Sequence, residues 1–192
     1  NLKQSERLTI QGIEVKGLDR VDRDELLSEL RVGEGDNLLE LQSSAISARA
    51  AALPWVDSLS LRRDLRGQQL ELAVVEHKPM MLLAGSPIRL LNESGEAFKV
   101  LEAKDPVDLP FLNLVDGAGL DQPELVREAA HGAVQILHAL ASGTALREVH
   151  VSEIRFEGDD GYVVVTRTGM PVRLGREDFA VRLGRLERAA RS

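Results

Sequence analysis

A chain of 192 residues carrying 43% hydrophobic and 29% charged residues has room for one large or two small globular domains. Its formal net charge of −7 argues against nucleic acid as a general partner, because phosphate binding needs a basic field, and the lack of cysteine removes disulfides and thiolate metal sites while leaving the compartment open. No apolar run approaches the ~20 residues that span a bilayer, and no secretory signal is present. With six aromatic residues in all, the core has to be aliphatic. The chain opens on Asn1 rather than Met and closes inside a helical pattern, so it is read as an excised piece with room for a membrane segment upstream.

Leu8 to Val15 reads as a strand, with a bulge at Gly12 where the apolar phase slips, ending at Gly17. Val21-Asp22-Arg23-Asp24-Glu25-Leu26 is a helix start: Asp22 can accept first-turn amides, Glu25 can reach back, and Val21 and Leu26 can close as a staple. This helix buries Leu26, Leu27 and Leu30 and is expected to end at Gly33. A second helix from about Ser44 places Ile46, Ala50 and Leu53 on one face and stops at Pro54. Leu59 and Leu61 alternate with Ser58, Ser60 and Arg62 in a half-buried strand, Arg66-Gly67-Gln68 supplies a turn with Gly67 free to take positive φ, and Leu70 to Val75 is apolar on both sides. Such a strand belongs in the middle of a sheet with a covered face, and Pro79 is expected to stop the ladder. Strand, helix, helix, strand, strand in about 70 residues is an α+β arrangement with two helices on one face of a three-stranded sheet.

That order, with Ile10-x-x-Ile13-x-Val15-x-Gly17, Leu53-Pro54-Trp55-Val56, Arg62-Arg63 and Val74-Val75-Glu76-x-x-Pro79, resembles a polypeptide-transport-associated (POTRA) domain, and more narrowly the bacterial cell-division family FtsQ/DivIB. The hairpin turn departs from the family, which usually has Pro where this chain has Arg66.

Past Pro79 the pattern changes to short strands: Met80 to Ala84, Ile88 to Leu91, a turn at Asn92-Glu93-Ser94-Gly95, and Ala97 to Leu101. The Leu-x-x-x-Gly-x-x-Phe reversal resembles the opening of the second, mostly antiparallel β domain of that family. Phe111 to Gly117 stands where the family places a Leu-Pro-x-Leu-x-Gly stretch. A helix from about Gln122 to Ala141 buries Leu125, Ala129, Val134, Leu137 and Leu140, and Ser142-Gly143 closes it. Val149 to Phe156, Tyr162 to Arg167 and Met170 to Leu174 read as consecutive strands, and a last helix from near Glu177 buries Phe179, Leu183 and Leu186. The expected division is a POTRA domain over residues 8–78 and an FtsQ-type β domain over 79–192, incomplete at its C-terminus.

No constellation stands out for catalysis, cofactor or metal. His131 and His138 are seven apart on one helix and lack further ligands. Gly117-Ala118-Gly119 lacks the third glycine and the context of a nucleotide loop. The eight carboxylates between Asp19 and Glu40 read as a solvated face. From Arg167 onward seven arginines face three acidic residues, so this part is +4 and the remainder −11. The arginines suit either a wet helix face, an acidic partner or anionic headgroups.

The resemblance implies a non-catalytic scaffold without cofactors, periplasmic in bulk and held to the inner membrane by one span. It implies binding to the coiled-coil division proteins FtsB and FtsL and a link between early and late division proteins at the septum. In that family the β domain carries the main FtsB contact through its last strands and the helix before them, and this piece is expected to lack the completing strand. The expected contact residues are Trp55, Val56, Leu59, Leu61, Arg62 and Arg63 on the POTRA edge strand, and Arg155, Arg176, Arg182 and Arg185 in the β domain. Arg62 and Arg63 can either serve recognition at that edge or guard it against pairing. The alternative is a POTRA chaperone module of an outer-membrane assembly or two-partner secretion protein.

Overall fold

The computed structural model describes residues 8–105, 108–115, 121–142 and 150–190. The chain divides into two compact units, Asn1–His77 and Lys78–Ser192. The first holds β1 (Gly12–Lys16), α1 (Arg23–Leu30), α2 (Ser43–Ala50), β2 (Val56–Asp64) and β3 (Gln69–Glu76). Its sheet runs β1-β3-β2, with β1 parallel and β2 antiparallel to the central β3. Leu70, Leu72 and Val74 of β3 are buried with Ile10, Leu26, Leu30, Leu38 and Ile46, which makes the aliphatic core that the composition demands.

Local chemistry explains the element ends. Asp22 caps α1 as expected, its Oδ1 accepting from the Asp24 and Glu25 amides at 2.8 and 3.1 Å. The helix stops earlier than Gly33: Arg31 takes the left-handed conformation at φ 52°, and its amide donates back to Leu27 and Ser28. The turn after β2 differs similarly. Gln68, not Gly67, has positive φ, at 53°, while Asp64 Oδ1 accepts from the Arg66 and Gly67 amides at 3.0 Å each. A side chain at position 67 would strike the Asp64 carboxylate. β3 is central, as its apolar run predicts, but one of its faces is open. Val75 is 53% exposed, so the covered face is the one that carries Leu70, Leu72 and Val74.

The second unit holds β4 (Pro79–Leu83), β5 (Arg89–Asn92), β6 (Ala97–Val100), β7 (Phe111–Leu114), α3 (Pro123–Ser142), β8 (Val151–Phe156), β9 (Tyr162–Thr166), β10 (Pro171–Gly175) and α4 (Phe179–Ala190). The sheet order is β10-β9-β8-β7-β4-β5-β6, antiparallel except where β7 meets β4 and β8. The fold is α+β, a POTRA-like layer followed by a mostly antiparallel β domain with helices. Pro79 opens β4 opposite Asn92 instead of merely ending the previous ladder, its missing amide tolerated at a strand start. Met81, Leu83, Leu91, Leu112, Leu114, Ile154 and Phe156 face one core with Ala129, Ala133, Ile136, Phe179 and Leu183 of the two helices. Leu186 is 41% exposed and does not complete the α4 stripe. Gly117, Gly143 and Val149 lie outside the described residues.

Candidate functional site

In the first unit, β2 forms one margin of the sheet, so one side of its backbone has no strand partner among the described residues. Its side chains divide by alternation. Leu59, Leu61 and Arg63 lie opposite the buried Val74, Leu72 and Leu70, on the face that the helices cover; Ser58, Ser60 and Arg62 lie on the open face. Leu59 and Leu61 are half-buried because β2 is marginal. The two arginines are drawn away from the rim in opposite directions. Arg62 lies across the open face and donates twice to Glu71, at 3.0 and 2.6 Å. That pairing holds the Glu71 carboxyl below its ordinary range and raises the guanidinium of Arg62. Arg63 bends to the helix side, donating to the Leu41 carbonyl at 2.7 Å and Ser43 Oγ at 3.0 Å, and its buried Nε–H has no acceptor among the described residues.

Trp55 and Val56 sit differently. They are 8% and 6% exposed and belong to the core at the start of β2. The Arg20 guanidinium lies 4.5 Å from the Trp55 ring centroid, and the Trp55 carbonyl accepts from His77 at 2.9 Å. Arg20 is held there by Glu76, whose carboxylate accepts from the backbone amides of Asp19, Arg20 and Val21 at 2.9–3.2 Å. The Val-Glu-x-x-Pro pattern contained this residue, but its role was hidden. The signal available was an acidic side chain ending an apolar strand, 55 residues from amides that only the fold brings near.

In the second unit, Arg155 alternates with the buried Ile154 and Phe156 and projects on the sheet face away from α3. It donates to Glu153 at 3.0 Å, and Glu153 also accepts from Asn113 at 3.1 Å. The hydrogen bond from Arg155 chiefly holds the Glu153 carboxyl low, against the opposing effect of burial. Arg173, which sequence reasoning passed over, pairs with Glu157 at 2.8 Å; alternation with Val172 and Leu174 was its signal. Arg176 belongs elsewhere in this unit, bridging Glu128 of α3 and Asp159. The Arg182 guanidinium lies against Gly175, where an added Cβ would come within 2.5 Å of it. Arg185 is exposed on α4. The structure therefore sets Arg155 apart from Arg176, Arg182 and Arg185.

Among the described residues no group of three or more His, Asp or Glu side chains is placed to hold a metal ion, and no helix is long and apolar enough to cross a membrane. The charged groups present are paired arginines and carboxylates, among them Arg62–Glu71, Arg155–Glu153 and Arg173–Glu157.

The sequence matches the family model for the POTRA domain, FtsQ-type, over residues 8–77, and that for the C-terminal part of cell division protein FtsQ/DivIB over residues 84–192. It is 30% identical over 188 residues to the cell division protein FtsQ of Myxococcus fulvus, covering 97% of this chain and 66% of that protein. The protein of the same name from Geobacter sp. is 29% identical over 181 residues, covering 93% and 66%, and that of Rhodothermus marinus is 33% identical over 192 residues, covering 95% and 67%. The chain thus spans 66% of the length of the first two relatives. With both of its regions matched in the same order, the chain belongs to the FtsQ/DivIB family of cell division proteins, with a POTRA domain of the FtsQ type.

Proposed function

We propose that this chain is the extracytoplasmic part of a division scaffold that binds FtsB and FtsL and links early to late division proteins at the septum, without catalysing a reaction. In this reading the intact protein is anchored once in the inner membrane and the described units lie in the periplasm. The observation that carries the reading is the open margin of β2, long, free of Pro and Lys, with both of its arginines tied down elsewhere. Natural sheet margins are usually blunted by charge, Pro or a covering element. A margin with no strand beside it, whose two arginines are held on its two faces, suits capture of another chain, the backbone giving affinity and alternate side chains giving selectivity. The second unit contributes charge: Arg155 and the arginines around α4 fit acidic stretches of a partner.

The test is binding of a soluble FtsB–FtsL complex to the 192-residue chain by calorimetry, with Arg155→Glu as the variant. Charge reversal beside Glu153 puts two carboxylates where one pair stood, and affinity is expected to fall about tenfold or more. Unchanged affinity removes Arg155 from the site, and no binding by the wild-type chain removes the reading.

A further inference from the structure

The margin of β2 has a symmetry of its own. The strand covers Val56–Asp64, and its midpoint is Ser60. Its register against β3 slips between Val56 and Ser58, so the regular part centred on Ser60 is Ser58–Arg62; turned end for end, that part sets Leu59 against Leu61, Ser58 against Arg62, and Ser60 against itself. Every one of those juxtapositions is favourable or neutral for an antiparallel ladder, where residues directly opposite interact most strongly. The half-buried leucines meet on the face that the helices cover, extending an apolar layer that stops short at the margin. Small hydroxyls occupy the centre, where a bulky side chain would meet its own image.

We propose that two copies of this chain pair antiparallel along β2 about a two-fold axis at Ser60, making one six-stranded sheet from two three-stranded ones. The interface is isologous, so it closes at two copies and cannot propagate. It shares its rim with the recruitment reading but stands without it: self-pairing and capture of a partner strand exclude each other on the same backbone. A single strand pair with its flanking side chains is small, so the dimer forms weakly and reversibly.

Because the chain has no cysteine, Ser60→Cys creates the single thiol in each copy. On the axis the two Cα atoms stand about 4.5–5.5 Å apart, within disulfide reach. Mild oxidation with oxidised glutathione is expected to give a covalent dimer from Ser60→Cys at least about tenfold faster than from Ser58→Cys, whose image stands opposite Arg62, about 13 Å along the ladder, or from the exposed Val75→Cys on β3. Sedimentation equilibrium of the wild-type chain is expected to show monomer and dimer exchanging below about 1 mM, with Ser60→Lys monomeric throughout because two lysines meet at the axis. Equal cross-linking rates for the three cysteine variants, or a wild-type chain that stays monomeric to about 1 mM, overturns the proposal. A monomer that still binds FtsB–FtsL leaves the scaffold reading standing, and a dimer that binds neither protein does the reverse.

Discussion

Lys99 and Asp105 form an ion pair with 7% and 2% of their side chains exposed, closed at 2.6 Å. Burial pushes the Asp105 carboxyl up, but the hydrogen bond from Lys99, the Glu102 amide at 2.8 Å and attraction to Lys99 together leave it below the ordinary range. A carboxyl held low in the fold stabilises above its unfolded pKa of about 3.9 and loses that contribution as pH falls through the folded value. Asp105→Asn leaves the ammonium of Lys99 buried with the Val100 carbonyl at 3.2 Å and the exposed Glu102 carboxylate at 3.3 Å. The expected loss is about 3–5 kcal/mol at neutral pH, read from urea unfolding, together with a flatter acid limb below about pH 4. A loss under about 1 kcal/mol shows that water reaches the site. Tyr162 behaves oppositely. Burial, then the Glu128 carboxylate, pushes its phenol up to about 12, and its hydroxyl donates to the Glu128 carbonyl at 3.0 Å. A phenol raised in the fold stabilises fully below its unfolded pKa of about 10 and loses that contribution as pH rises through the folded value. Since it is the single tyrosine, absorbance at the tyrosinate band reports it alone: ionisation is expected near pH 12 in the folded chain and near 10 after unfolding. A folded-state midpoint near 10 contradicts its burial.

At the scale of elements, α3 and α4 each carry a glycine inside a helix, and the two differ in sign. Glycine normally costs a helix interior about 1 kcal/mol relative to alanine. A Cβ at Gly184 of α4 meets nothing nearer than Arg188 Nη1 at 3.8 Å, so Gly184→Ala is expected to stabilise by up to about 1 kcal/mol. A Cβ at Gly132 of α3 falls 2.1 Å from Tyr162 Oη and 2.4 Å from Cζ, and the phenol is pinned by its hydrogen bond and by edge contact with Phe179. Gly132→Ala is therefore expected to destabilise by about 1–3 kcal/mol in the same unfolding assay. If both substitutions stabilise, Tyr162 does not sit against α3. This pair also marks what the sequence could and could not say. Alternation and 3.6-residue periodicity are local, and they placed Leu59 and Leu61 on β2, Asp22 at the cap of α1 and Ala129, Val134 and Leu140 in the core. No local pattern marks Gly132, because the Tyr162 ring that it faces lies 30 residues on in the chain. Leu186 looked buried because periodicity reports apolarity, not what covers a face. The tethers of Arg62 and Arg63 were equally invisible, since their partners are set by the fold.

For the whole molecule the relevant quantity is how charge is distributed along an acidic chain. Residues from Arg167 onward carry +4 against −11 for the rest, and the fold uses the arginines of that stretch unequally. Arg173 and Arg176 are spent on Glu157, Glu128 and Asp159, whereas Arg182 and Arg185 are exposed on α4. Paired charges contribute little field at a distance; exposed ones of one sign steer an oppositely charged partner to the surface and act on the association rate more than on dissociation. If α4 meets an acidic stretch of FtsB, the double variant Arg182→Glu with Arg185→Glu slows association about 10- to 100-fold at low salt and leaves dissociation within about threefold. Raising ionic strength to about 1 M shortens the screening length to about 3 Å and brings the two association rates together. Surface-based kinetics across a salt series measures both. A variant that dissociates faster at unchanged association places these arginines inside the contact, and one that alters neither rate takes α4 out of the partner surface and leaves Arg155 and the β2 margin to carry it.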